Sequence, residues 1–231
     1  MRSETDNLLD VLVSTINRNV LGKHTDVYDV LSAAQMVASF DSASYFNRKM
    51  SAAANFRNGL DLLTHAMQLR SVPGAVLEFG VATGRTINHL ASLTAETIYG
   101  FDSFEGLPED WRTGYSKGRF AQALPATAPN VRLLVGWFEN SLDEFVQICP
   151  EGPISLIHVD CDLYSSTKTI LDRLADRIVS GTIIVFDEYF NYPGWEEHEF
   201  KAWQEFCAAR NVTYRYDSFV SAHQQVCVIV D

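Results

Sequence analysis

From residue 75 onward, short apolar runs alternate with stretches of helical period, and few chain folds satisfy that alternation. The runs are Ala75 to Phe79, Thr97 to Phe101, Val131 to Val135, Ile154 to Val159 and Thr182 to Phe186. A strand that is apolar on both sides must be covered on both sides, which is the condition of a parallel sheet built from βαβ units. Two later runs, Val212 to Tyr216 and Gln225 to Val230, lie close enough to pair as an antiparallel hairpin that closes one sheet edge. The expected fold is α/β: a Rossmann-like, seven-stranded and mostly parallel sheet with an antiparallel C-terminal hairpin strand.

Upstream the period is helical. Leu8, Leu12 and Ile16, then Val27, Val30, Leu31 and Ala34, then Phe56, Leu60, Leu63 and Met67 recur at spacings of about three and four. The chain therefore divides into a helical N-terminal extension, residues 1–72, acting as a lid or an oligomer contact, and a sheet domain, residues 73–231. A net charge of −11 without any basic run argues against nucleic acid. No apolar stretch is long enough to span a bilayer, and Glu4, Asp6 and Asp10 stand where a secretory leader needs a basic start. Cys149, Cys161, Cys207 and Cys227 show no metal-type spacing. A cytoplasmic protein with a small-molecule partner, not a membrane or nucleic acid, is the expectation.

The run Val76-Leu77-Glu78-Phe79-Gly80-Val81-Ala82-Thr83-Gly84-Arg85 reads as a strand entering a glycine-containing turn that opens a helix. Gly80 and Gly84 allow backbone to approach a ligand, and Asp102, ending the next strand, can accept both hydroxyls of a ribose. The dinucleotide pattern G-x-G-x-x-G is broken at Ala82 and Arg85, which weakens an NAD-dependent oxidoreductase reading. S-adenosylmethionine combines a ribose with an ammonium that suits Glu78 and needs no pyrophosphate cradle. The plainer reading is a tight βα turn with Asp102 as a helix cap.

A second constellation ends the fourth and fifth strands: His158-Val159-Asp160-Cys161-Asp162-Leu163-Tyr164 and Phe186-Asp187-Glu188-Tyr189. Neighbouring strands bring these carboxylates together, and two charges 4 Å apart repel by about 4 kcal/mol at an effective dielectric near 20. Such a cluster binds protons or a hard divalent cation such as Mg²⁺. The plainer reading has Asp162 capping the next helix. His158, inside a strand run, reads as a core residue, with His198 a second-choice base. Tyr189, Phe190, Tyr192 and Trp195 suit either a wall for a sugar ring or packing for the next helix.

Together with Phe101-Asp102-Ser103-Phe104-Glu105-Gly106-Leu107-Pro108 and Gly136-Trp137-Phe138, these motifs resemble the macrocin O-methyltransferase-like family over roughly Tyr45 to Gly194. Members of that family are class I, S-adenosylmethionine-dependent, Mg²⁺-dependent sugar O-methyltransferases. The resemblance implies a metal on Asp160, Asp187 and Glu188, with Asp162 as the general base. It also implies cofactor contacts from Glu78, Gly80, Gly84, Asp102, Ser103 and Asp160, with Gly136 and Trp137 near the adenine. Glu188 stands where the family usually has a second aspartate, and Ala82-Thr83-Gly84 where it often has Trp-Arg-Gly-Gly. The function so implied is methylation of a hydroxyl on a sugar or glycosylated natural product by a homo-oligomer. Its alternatives are a metal-independent methyltransferase, the oxidoreductase, and a non-enzymatic assembly protein.

Overall fold

The computed structural model describes residues 29–149 and 151–231, together with Ser14 and Thr15. Two units are distinguished, Met1–Met36 and Val37–Asp231. The periodic positions Leu8, Leu12, Ile16 and Val27 lie outside the described residues. Helix α1 (Val30–Lys49) crosses the division between the units. It opens on Asp29, whose Oδ1 accepts the amides of Leu31 and Ser32 at 2.9 and 3.2 Å, satisfying donors that the first helical turn leaves without carbonyl partners.

Within Val37–Asp231 the elements run β1 (Ala54–Phe56), α2 (Gly59–Leu69), β2 (Ala75–Phe79), α3 (Arg85–Ser92), β3 (Ile98–Asp102), β4 (Val131–Val135), α4 (Phe138–Ile148) and β5 (Ile154–Val159). They continue through α5 (Tyr164–Leu174), β6 (Ile183–Phe186), α6 (Glu199–Arg210), β7 (Tyr214–Val220) and β8 (Val226–Val230). All lie in one eight-stranded sheet of order β1-β7-β8-β6-β5-β2-β3-β4, antiparallel only where β8 pairs with β6 and β7. The expected parallel sheet and antiparallel C-terminal strand are therefore present, with eight strands in place of seven. The added strand is Ala54-Asn55-Phe56, parallel to β7 in register with Ser218, Phe219 and Val220. Phe56 thus belongs to an edge strand and not to the helix its spacing suggested, and the hairpin is not the edge of the sheet. Three residues are too few to display an alternating pattern.

The central strands β5 and β6 are buried at every position. One face of the sheet is covered by α4, α5 and α6 around Phe79, Phe101, Phe145, Phe186 and Trp203. The other is covered by α2 and α3 around Leu62, Leu63, Ile87 and Leu90. Tyr45 on α1 ties to the sheet domain through a hydroxyl chain: its oxygen lies 2.5 Å from that of Tyr216, which in turn lies 2.6 Å from Tyr189. Nearby, Ser42 Oγ accepts the amide of Asn191 at 2.8 Å. Among the described residues no helix is long and apolar enough to cross a membrane.

One glycine fixes the turn after β2. Gly80 has φ +91, and a Cβ placed there would lie 1.6 Å from the carbonyl oxygen of Asp160. Its role is to let two strand ends approach, before any ligand is considered. Gly80→Ala is expected to lower unfolding free energy by at least about 2 kcal/mol in urea titrations. Gly114→Ala, at φ +87 with open space around it, is expected to cost about 1 kcal/mol from conformation alone.

Candidate active site at the carboxyl edge of the sheet

Backbone bonds beyond the strands align the carboxyl ends in a row. The Gly136 amide donates to the Asp102 carbonyl at 3.0 Å, Gly80 to Phe101 at 2.9 Å, Asp160 to Phe79 at 2.8 Å and Asp187 to Val159 at 2.8 Å. A cavity of about 640 Å³ opens along this edge, where open α/β sheets bind their ligands. Its wall includes Gly80, Ala82, Asp102, Ser103, Gly136, Trp137, Asp160, Asp162, Asp187 and Glu188, so most residues singled out from the sequence meet here.

Glu78 and Gly84 do not line it. Gly84, at φ +78, sits at the start of α3 against Pro125. Glu78 is fully buried: Thr86 Oγ1 donates to its Oε1 at 3.0 Å, and Oε2 lies 2.9 Å from His158 Nδ1, itself fully buried. The carboxylate assigned to a cofactor ammonium thus bonds to the imidazole of the neighbouring strand. Asp102 reaches the cavity, but its Oδ2 accepts the amides of Val81 and Ala82 at 3.0 and 2.8 Å, and its Oδ1 that of Phe104 at 2.7 Å. Of roughly four lone-pair positions on a carboxylate, about one remains for a ribose. The tight-turn reading therefore holds, but Asp102 is not a helix cap: it bonds amides of the turn, while α3 opens on Gly84 with no side-chain cap.

The capping reading of Asp162 does not hold. Helix α5 follows Leu163 without any side-chain cap, while Asp162 is buried with φ +66, a left-handed conformation uncommon for a residue with a Cβ. Burial pushes its carboxyl up to about 7, with Asp187 adding to the rise and the Arg112 guanidinium opposing it. Burial likewise raises Asp160 and Glu188 well above the usual carboxylate range, and in both the charge of Asp187 adds to it. Asp187 stays low despite burial because His158 faces it and Gln225 Nε2 donates to both its oxygens at 3.1 Å. Burial alone would lower His158, but its interactions with Asp187 and Glu78 outweigh that and raise it.

The donor set, carboxylates with one imidazole, could hold a divalent cation. One ligand atom each from His158, Asp160 and Asp187 falls within 4.8 Å of the others. His158 Nε2 has no hydrogen-bond partner and lies 3.6 Å from Asp187 Oδ1, and Nδ1 is oriented by Glu78, an arrangement common for metal-bound imidazoles. Glu188 is outside that trio, although its Oε2 is buried without a partner. His158 is the addition the sequence did not anticipate, and its signal was its place in β5 two residues before Asp160, which follows the strand.

Of the two readings of the aromatics after β6, packing is the one found. Tyr189, Phe190, Tyr192 and Trp195 are buried in the core and do not line the cavity. His198 is also absent from the lining; it sits beside Tyr192 and Trp111. The aromatic lining comes instead from Trp111, Tyr115 and Phe120, in the loop after β3, and from Trp137 and Phe138.

A family model described as a methyltransferase domain matches residues 77–189. A Streptomyces olivaceus protein, 8-demethyl-8-(2,3-dimethoxy-alpha-L-rhamnosyl)-tetracenomycin-C 4'-O-methyltransferase, is 31% identical over 51% of this chain and 54% of its own length. The demethyldecarbamoylnovobiocin O-methyltransferase of Streptomyces niveus is 27% identical over 53% of this chain and 55% of its own. The chain thus spans about half the length of these curated relatives. Among solved structures, the calicheamicin methyltransferase CalS11 superposes with a TM-score of 0.59 at 19% identity, covering 99% of this chain and 94% of that one. The O-methyltransferase NovP gives 0.56 at 21% identity, covering 74% and 78%.

The buried Glu78–His158 pair yields a direct test. Glu78→Ala leaves an imidazole without its partner in the sheet and is expected to cost about 3–5 kcal/mol in chemical denaturation. Glu78→Gln, which keeps a hydrogen-bonding oxygen, is expected to cost clearly less. Residues 77–189 match the methyltransferase-domain model, in a chain that shares its fold with the solved structures of CalS11 and NovP.

Proposed function

We propose that the chain is an S-adenosylmethionine-dependent O-methyltransferase that methylates a hydroxyl of a sugar or glycosylated natural product, with a divalent ion, Mg²⁺ by donor chemistry, at the acid cluster. The observation that carries this reading is one cavity bounded by Gly80, Asp102, Gly136 and Trp137 and also by Asp160, Asp162, Asp187 and Glu188. The names of the two curated relatives support the substrate class.

When bound, S-adenosylmethionine supplies an electrophilic methyl and the ion lowers the pKa of a coordinated hydroxyl. The chain's own residues do the rest. Gly80, Ser103, Gly136 and Trp137 offer the nucleoside its walls, with Asp102 contributing its remaining acceptor position. Asp160 and Asp187 would hold the ion, completed by Glu188 or by His158 as a neutral ring. Asp162 takes the proton of the acceptor hydroxyl, a role matched by its burial and its raised pKa of about 7. The remaining requirement is positioning, since displacement at a methyl demands an in-line approach within about 3–3.5 Å.

A second reading keeps the methyl donor and omits the ion, with His158 as the cation among the acids; its place between Glu78, 2.9 Å from Nδ1, and Asp187, 3.6 Å from Nε2, favours it. The four free cysteines suit work in the cytoplasm. Residues 1–72 are proposed as a lid or homo-oligomer contact; Val37 and Phe40, both exposed on α1, suit such a contact.

Calorimetric titration with S-adenosylhomocysteine, with NAD as control, tests the cofactor class: the nucleoside binds and the dinucleotide does not. Asp160→Ala and Asp187→Ala are expected to abolish methyl transfer to rhamnosylated aromatic acceptors while leaving S-adenosylhomocysteine affinity within about threefold. Full turnover after EDTA treatment would replace the metal reading with the metal-free one.

A further inference from the structure

The loop after β3 carries a cation, Arg112, whose charge acts on Asp162 without any acid of the cluster, among the described residues, holding it in an ion pair. Arg112 lines the cavity, and its guanidinium carbon lies 3.8 Å from the ring centroid of Trp111 and 4.8 Å from those of Tyr115 and Tyr192. Three rings thus hold one guanidinium by cation–π attraction, which fixes its plane and leaves its N–H edge as the remaining means of binding. Among the described residues its one hydrogen bond is long, Nη1 to Gln224 Oε1 at 3.4 Å. Its Nε is buried with no partner, and so is Nε1 of the adjacent Trp111. Among the described residues no carboxylate forms an ion pair with Arg112, although the same cavity is lined by Glu109, Asp160, Asp162, Asp187 and Glu188.

Buried donors without acceptors cost about 1–3 kcal/mol each, more when charged. Two such donors on consecutive residues of a ligand cavity are offset most directly by oxygens of the guest. The planar fork of an arginine matches two oxygens of one carboxylate or phosphate, and bonds to an anion of that kind are about twice as strong as neutral ones. A ring-lined approach from Trp111, Tyr115 and Phe120 suits the apolar face of a pyranose beside that group.

We propose that Trp111 and Arg112 form an oxyanion anchor for the methyl acceptor, so that the sugar this cavity takes carries a carboxylate or phosphate close to its reacting hydroxyl. The proposal rests on the methyltransferase reading and narrows its substrate class. Arg112 acts here as a specificity-determining residue, with Trp111 supplying both a face of its cage and a further N–H.

The test is calorimetric titration with methyl β-D-glucuronide, glucose 1-phosphate and methyl β-D-glucoside, with and without S-adenosylhomocysteine. At least one anionic sugar should bind about tenfold or more tighter than the neutral glucoside, and the tighter of the two identifies the anion. Arg112→Gln should abolish the preference, Arg112→Lys should keep part of it by charge alone, and Trp111→Phe should weaken it while preserving the ring. S-adenosylhomocysteine affinity should stay within about twofold in all three variants, which also reports that they are folded.

Equal affinity for charged and neutral sugars, absence of binding by either anionic sugar, or a preference that survives Arg112→Gln would overturn the anchor. So would an Arg112→Gln variant that loses S-adenosylhomocysteine affinity and leaves the sugar preference intact, since Arg112 would then serve the cofactor's carboxylate. Wild-type protein that discriminates the sugars but ignores S-adenosylhomocysteine would refute methyl transfer and retain the anchor.

Discussion

A carboxylate and an imidazole, 2.9 Å apart and without solvent exposure, lie across the pairing of β2 with β5. Isolated charges of this kind would be expelled or neutralised, so each persists only because the other is there. The pair reaches in both directions. Thr86, in the first turn of α3, donates to Glu78, which ties the turn beneath the proposed nucleoside position to the sheet. On the far side the imidazole faces Asp187 across the β5–β6 pairing. The cofactor-side turn and the acid cluster thus share one buried support, and neither strand end can move independently of the other.

That support explains why Asp187 alone among its neighbours keeps a low pKa. Asp160, Asp162 and Glu188 are raised, and the charge of Asp187 contributes to each rise. Burial is the largest cause of each rise, and the low-pKa member, held by His158 and Gln225, adds to it. Such a cluster is poised for a cation, because a bound ion would reverse the mutual repulsion that now favours protons.

Sequence patterns exposed the sheet and most of the site for physical reasons that also delimit them. Strands β2 to β6 were legible because burial on both faces demands unbroken apolar runs. Strand β1 was not, because Ala54-Asn55-Phe56 is short and draws its stability from β7, a partner far along the chain. Asp160, Asp162, Asp187 and Glu188 were legible because they end strands that must be neighbours. The burial of Glu78 against His158 was not legible because that partner is 80 residues away. The aromatics after β6 were ambiguous by type alone, and their burial in the core resolves them toward packing.

The loop carrying Trp111, Arg112 and Tyr115 escaped pattern reading because it has no period: its order comes from contacts that no spacing rule encodes. Leu107 and Arg119 bond through their backbones, Gly118 returns a bond to Leu107, and Gln122 bonds to Phe104, so the segment folds back on itself. Glu109 then accepts the hydroxyl of Ser165 on α5 at 2.6 Å, fastening the loop across the cavity. The strand ends form a wall whose chemistry follows from the topology, whereas the opposing loop is free of sheet constraints and can vary without disturbing them. In the proposed reaction the residues that act on the methyl donor and acceptor should therefore sit on the sheet edge, and residues that select the acceptor on this loop. The partnerless donors of Trp111 and Arg112 fall on the selecting side of that division.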